Sequence, residues 1–219
     1  MLSNYAIAVL TSSNRWAELK ILIDSLSLVK YKKLYIGNVG LINKHKKNLE
    51  DLGATIIPLN ANTIGKDPSD KLYHSLISQR VPFLREIWRL HKGSILQLDT
   101  DTEFIKDDFK HLDMTTDATM HVRGDDGPNC GVMFWHKPER CQEFWDTWED
   151  MWRGPVTLRC PEQDCFGKAL QACKINWQEL HCRYYNCMKD EWINKDTSII
   201  HYKGKIYRRE ELRQLCAAF

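Results

Sequence analysis

Two carboxylates one residue apart, Asp99 and Asp101, close an apolar run in the stretch ILQLDTDTEF at residues 95–104. Side chains in a strand alternate faces, so both acids are expected on one side and Thr100 on the other. Like charges that close raise each other's cost, and the remedies are a shared proton, an open polar rim or a bound cation. A hard divalent cation would use both carboxylates and keep positions open for phosphate. Asp-x-Asp by itself is common and often does no more than end a strand. Its weight depends on where the fold puts it.

The surrounding elements supply that place. YAIAVL reads as a strand, Leu19, Leu22, Ile23 and Leu26 follow at helical spacing, and KLYIGNV is a second strand. HKKNLEDLG ends a helix on Gly53, and ATIIPL is a third strand. This βαβαβ order predicts an α/β fold with a parallel sheet and covering helices. A helical region over residues 69–90, interrupted at Pro82, leads into SILQLDTD, whose strand is expected to run into the carboxylates. Ligands of open α/β sheets bind beyond the carboxyl ends of strands, which puts Asp99 and Asp101 at the expected site.

The second half is more mixed. ATMHV, CGVMFW, KINWQEL and TSIIHY read as strands, EQDCFGKALQAC and REELRQLCAAF as helices. In CQEFWDTWEDMW, Phe144, Trp148, Met151 and Trp152 share a helical face and are expected to pack in the core.

Composition bounds the alternatives. At 219 residues, 43% hydrophobic and 27% charged, the chain suits one globular domain over 1–219, and no repeat or low-complexity segment divides it. A net charge of +2 does not suffice for a polyanion binder, and Lys30, Lys32, Lys33, Lys44, Lys46 and Lys47 read as a solvated face. YAIAVL is too short for a membrane span and has no basic segment before it, so a cytoplasmic protein is expected. The eight cysteines all lie from Cys130 onward. Neither Cys160 with Cys165 nor Cys182 with Cys187 has the two-residue spacing of the commoner zinc knuckles, and reduced core thiols are expected.

Three further segments join the carboxylates: PNCGVMFW, CPEQDCFGKAL and IIHYKGK. With them the chain resembles the GT-A-fold glycosyltransferases, most closely the retaining family 8 group of lipopolysaccharide galactosyltransferases and glycogenin. The motifs carrying the resemblance are Asp99-Thr100-Asp101, Asn129-Cys130-Gly131-Val132, Glu162-Gln163-Asp164 and His201-Tyr202-Lys203-Gly204, in the family's order across most of the chain. The resemblance implies a single nucleotide-diphospho-sugar transferase domain, with a mixed central sheet flanked by helices. Its nucleotide-binding half would end near residue 101, and residues 102–219 would form the acceptor and sugar half.

The resemblance also implies roles. Asp99, Asp101 and His201 would hold Mn2+, or Mg2+, against the donor diphosphate, with Asp99 also near the ribose; the mixed carboxylate and imidazole set favours manganese. Thr11, Ser12 and Asn14 would meet the nucleoside, and Arg80 or Arg85 the diphosphate and sugar. Asp126 and Asn129 would contact sugar hydroxyls, and Gly131 would let backbone approach the donor. Gln163 would present its amide to an oxocarbenium-like centre, with Glu162 and Asp164 positioning the acceptor hydroxyl and the sugar. Where the family continues to Lys-Pro-Trp, this chain reads KIYRRE with Tyr207 at the lysine's place. Lys203, Lys205 and Arg208, around Gly204, would then neutralise the diphosphate.

The leading expectation is a metal-dependent glycosyltransferase acting with retention on a nucleotide-sugar donor, UDP-based, and a hydroxyl acceptor: a glycan, glycolipid, protein or modified nucleic-acid base. The alternatives are a degenerate nucleotide-sugar-binding module and a metal-dependent phosphohydrolase, which would normally want ligands for a second metal. A sugar-nucleotide pyrophosphorylase would need a glycine-rich loop after the first strand, and TSSNRW has no glycine.

Overall fold

In a computed structural model that describes residues 2–59, 78–123, 127–153, 161–185, 193–203 and 205–218, the N-terminal third forms the expected parallel unit. Strands β1 (Ala6–Thr11), β2 (Lys33–Asn38) and β3 (Thr55–Pro58) pair in parallel, joined by helices α1 (Trp16–Ser25) and α2 (Asn43–Asp51). All six residues of β1 are buried, as a strand covered on both faces requires. α2 stops where Gly53, at φ +80°, takes the left-handed conformation that ends helices cheaply.

After α3 (Arg80–His91), β4 (Ile95–Leu98) lies parallel to β1, with Val9 opposite Leu98. The sheet then turns antiparallel through β7 (Gly127–Trp135) and β6 (Ala118–Arg123), and β8 (Trp177–Glu179) closes its edge parallel to β6. The strand order is β3-β2-β1-β4-β7-β6-β8, a mixed central sheet of seven strands. A separate ribbon pairs β5 (Thr102–Phe104) with β9 (Ile199–His201), and the short helix α6 (Cys182–Tyr185) precedes β9.

Helices α3, α4 (Gln142–Arg153) and α5 (Pro161–Ala172) contribute Phe83, Phe144, Trp145, Trp148 and Phe166 to the core on one face of the sheet. On the other face, α1 and α2 bring Leu19, Leu22 and Leu49, and the ribbon brings Phe104 and Ile199. The expected stripe of α4 is core: Phe144, Trp148 and Trp152 are buried and Met151 packs beside them. Trp145, outside that stripe, is buried too and meets Trp135 edge to face with ring centroids 5.3 Å apart. Cys130, Cys141 and Cys165 are buried; Cys160 and Cys187 lie outside the described residues. No helix among the described residues is long and apolar enough to cross a membrane.

Two expectations shift in detail. The helical region is interrupted at Gln79, between Ser78 and α3, and Pro82 three residues on sits in the first turn of the new helix, where its missing N–H would have had no helical partner anyway. The expected start of that helix, near Ser69, lies outside the described residues. β4 also ends earlier than expected, at Leu98, so neither carboxylate belongs to it.

Candidate functional site

Asp99 and Asp101 sit in the turn between β4 and β5, and backbone bonds fix that turn. The Asp99 N–H donates to Gly131 O at 2.8 Å, the Thr102 hydroxyl donates to Asp99 O at 2.8 Å, and the Tyr202 N–H donates to Asp101 O at 2.9 Å. The two acids therefore converge because the chain turns, not because a strand alternates. They converge on His201: β5 pairs with β9 so that Thr102 lies opposite His201.

The imidazole Nε2 is 3.3 Å from Asp101 Oδ1 and 3.8 Å from Asp99 Oδ2. Ligand atoms of these three residues all lie within 4.8 Å of one another, the one such grouping among the described residues. Side-chain exposure falls from 34% at Asp99 to 13% at Asp101 and 3% at His201, so the cluster has a rim on the Asp99 side and a buried imidazole floor. Two carboxylates and an imidazole within this distance suit a small divalent cation.

β7 carries the other wall. Its register with β6 slips between Met120, opposite Met133, and His121, opposite Asn129, which leaves Cys130, Gly131 and Val132 as an extended bulge. The bulge is held by donors from three directions. Cys130 O accepts from Arg80 Nη1 at 3.0 Å and from Gln97 Nε2 at 3.1 Å, Gly131 O accepts from Asp99, and the Gly131 N–H donates to Asn129 Oδ1 at 3.2 Å. A Cβ on Gly131 would stand 2.6 Å from His201 Nδ1, so the glycine makes room for the imidazole ring.

The buried Arg80, first residue of α3, also reaches Asp99 Oδ1 at 3.2 Å. Asp99 thus has a guanidinium on one oxygen and faces the imidazole with the other, which offsets the crowding of acids. Arg85 points elsewhere, into ion pairs with Glu149 and Asp146 on α4.

Thr11 and Ser12 are buried at the carboxyl end of β1, level with the end of β4 through the Val9 and Leu98 pairing. The Ser12 hydroxyl bonds to the exposed Asn14, and Ser13 Oγ accepts from the Ile42 N–H at 2.7 Å, tying the ends of β1 and β2 together. Glu162, Gln163 and Asp164 occupy the first turn of α5, whose Gly167 faces the Pro128 ring of β7. Lys203 adopts φ 53°, and the Lys205 N–H returns to Tyr202 O at 2.9 Å, so the chain folds tightly after His201. Lys203 and Lys205 are exposed, whereas Arg208 pairs with Glu211 at 2.8 Å. Asp126 and Gly204 lie outside the described residues.

The sequence reading missed the anchor beneath this turn. Glu103, on β5 and 2% exposed, takes Arg209 Nη2 at 2.7 Å, Arg213 Nη1 at 3.3 Å and the Tyr202 hydroxyl, which clamps helix α7 (Arg209–Ala217) to the ribbon that carries His201. Burial, then the neighbouring Glu103, push the Tyr202 hydroxyl well above its ordinary range. The available signal was Glu103 itself, an acid two residues after Asp101 and next to Phe104.

No protein-family model and no curated protein matches the sequence. Solved structures do match. Mouse xyloside xylosyltransferase 1, in its apo form, is 12% identical with a TM-score of 0.60, covering 92% of this chain and 98% of its own. The galactosyltransferase LgtC, in complex with donor and acceptor sugar analogues, is 12% identical with a TM-score of 0.59, covering 98% and 96%. The glycosyltransferase GlyE of Streptococcus pneumoniae TIGR4 is 14% identical with a TM-score of 0.63, covering 97% of this chain and 60% of its own. The mixed seven-stranded sheet with its separate ribbon is therefore the GT-A fold of glycosyltransferases.

Proposed function

We propose that the protein is a glycosyltransferase that moves a sugar from a nucleotide-diphosphate donor, UDP-based, to a hydroxyl acceptor, with a divalent metal and with retention. The observation carrying this is the convergence of Asp99, Asp101 and His201 at the carboxyl edge of a GT-A sheet. These three residues would hold Mn2+, or Mg2+, and the cation would offset the charge of the departing diphosphate. Arg80 orients Asp99, and the exposed Lys203 and Lys205 stand on the same turn as His201, where a diphosphate would need further positive charge. Arg208, engaged by Glu211, contributes less.

Residues 1–101 form the nucleotide half in this reading, with Thr11, Ser12 and Asn14 toward the nucleoside. Residues 102–219 form the sugar and acceptor half, where Asn129 and Asp126 meet sugar hydroxyls. Gln163 stabilises the developing positive charge at the anomeric carbon through its amide dipole, and Glu162 and Asp164 position the acceptor hydroxyl. Support for Gln163 comes from LgtC, one structure of which is described as an active-site mutant with glutamine replaced by glutamate.

Calorimetric titration of UDP with and without manganese tests the reading. Manganese should strengthen UDP binding by about tenfold or more, and Asp101→Ala should abolish that increment. UDP binding that ignores manganese in both proteins would refute the metal assignment. Release of UDP from a panel of UDP-sugars then identifies the donor.

A further inference from the structure

Glu103 places a buried carboxylate in apolar surroundings. Ile193, Ile200, Tyr202 and Leu212 form a cluster separate from the two main cores, with Ile105 and Ile206 beside it. Within it, Glu103 Oε1 accepts from Arg209 Nη2 at 2.7 Å and Arg213 Nη1 at 3.3 Å, and Oε2 accepts from Arg209 Nε at 3.1 Å and from the Tyr202 hydroxyl. An aliphatic side chain would avoid the desolvation of the acid, and replacing a buried ion pair by apolar residues is often neutral or stabilising. What the carboxylate adds is direction. A guanidinium fork on a carboxylate fixes both angle and distance, whereas apolar contact is non-directional.

That direction bears on the opposite face of the ribbon. Glu103 pairs with Ile200 and shares the outer face with it, while Thr102 and His201 pair on the inner face, where the imidazole meets Asp101. β9 is three residues long, and a one-residue slip would carry His201 to the outer face, away from the acids. Tyr202 guards against the slip. Its N–H donates to Asp101 O at 2.9 Å and its hydroxyl donates to Glu103, so the residues on both sides of Thr102 hold the neighbour of His201. The chain then turns at Lys203, with φ 53°, and α7 returns Arg209 and Arg213 to the same carboxylate. Both Glu103 oxygens are engaged in this grip, so the acid acts through its neighbours and not as a further ligand.

We propose that Glu103 is a positioning residue of the cation site: by gripping Tyr202, Arg209 and Arg213 it fixes the register of β9 and so holds the His201 imidazole against Asp99 and Asp101. This rests on the metal assignment made above and extends the support of that site to α7, whose arginines complete the grip.

The test is Mn2+ titration of the 219-residue chain followed by EPR, with and without UDP. Glu103→Gln keeps the shape and removes the charge that holds the fork. It should weaken Mn2+ binding about tenfold, the low end for a group standing behind a metal ligand, at a temperature where circular dichroism shows the variant folded. The nitrogen modulation of a manganese-bound imidazole in pulsed EPR should be present in the unmodified protein and reduced in the variant. His201→Ala should weaken Mn2+ binding by itself, and Glu103→Gln added to it should cause no further loss, because the acid acts through that ring. If Glu103→Gln does not fold, Tyr202→Phe removes only the hydroxyl link, keeps the ring in its cluster and should give a smaller loss of the same kind. Unchanged Mn2+ affinity in a folded variant, or an equal loss with and without the imidazole, would overturn the proposal. An unmodified protein that takes up no Mn2+ even with UDP would instead overturn the metal assignment beneath it.

Discussion

Gly131 shows how little room single residues have in this site. Any side chain there meets the His201 ring, which is rigid, and the bulge carbonyls on either side are already engaged. Gly131→Ala should cost about 1–3 kcal/mol in urea denaturation and, by displacing the imidazole, weaken the manganese dependence of UDP binding. Gln163→Ala should behave differently. In its proposed role as a dipole aimed at a transient charge, Gln163 should affect turnover by on the order of a hundredfold while UDP-sugar affinity stays nearly constant, which steady-state kinetics and calorimetry together can distinguish. At this scale the sequence revealed those residues that belong to spaced motifs. Asp99, Asp101 and His201 were all named in advance, and the structure brings their ligand atoms together. Glu103 was not, because one acid in the three-residue run Thr102–Phe104 shows no periodicity and its partners, Arg209 and Arg213, lie far away in the chain.

Among the elements, the β5 and β9 ribbon determines whether a third side chain joins the two carboxylates at all. Three residues of β9 deliver His201, and the Glu103 cluster locks the segment that follows onto β5. Removing a buried acid leaves its cations and hydroxyl poorly matched. Arg209 and Arg213 are partly exposed, so Glu103→Ala should cost about 2–4 kcal/mol, less than a fully enclosed pair. Limited trypsin digestion should then cut faster at Arg209 and Arg213, since α7 loses its anchor. The longer elements were legible from periodicity, including the parallel β1, β2 and β3 unit and the α4 stripe. β5 was not, since three residues following a turn are too few to show alternation. The same shortness explains why the carboxylates were assigned to the end of β4: the sequence shows where an apolar run stops, not where a hydrogen-bonded ladder stops.

For the molecule as a whole, His136 couples the core to pH. Its ring is enclosed between the Tyr5 and Thr119 hydroxyls, and burial holds it down at about 4, from an ordinary 6.5. Between those values the unfolded chain binds a proton that the folded chain does not, so stability falls as pH drops from 6.5 toward 4. The full loss is on the order of 3 kcal/mol. Urea midpoints measured across that range should fall steadily in the unmodified protein and less steeply in His136→Gln. This histidine sits where β1, β6 and β7 meet, and its loss of fit on protonation would act on the whole sheet.

The pairing of Thr102 with His201 also imposes an order on biosynthesis. Asp99 and Asp101 leave the ribosome about a hundred residues ahead of the imidazole they meet, roughly 5–20 s at usual elongation rates. The parallel half of the sheet can form in that interval, but the cluster of Asp99, Asp101 and His201 cannot. In the metal-dependent reading proposed above, a nascent chain would therefore lack the complete site until β9 docks, and metal capture would report that residues 199–201 have been made and folded into place.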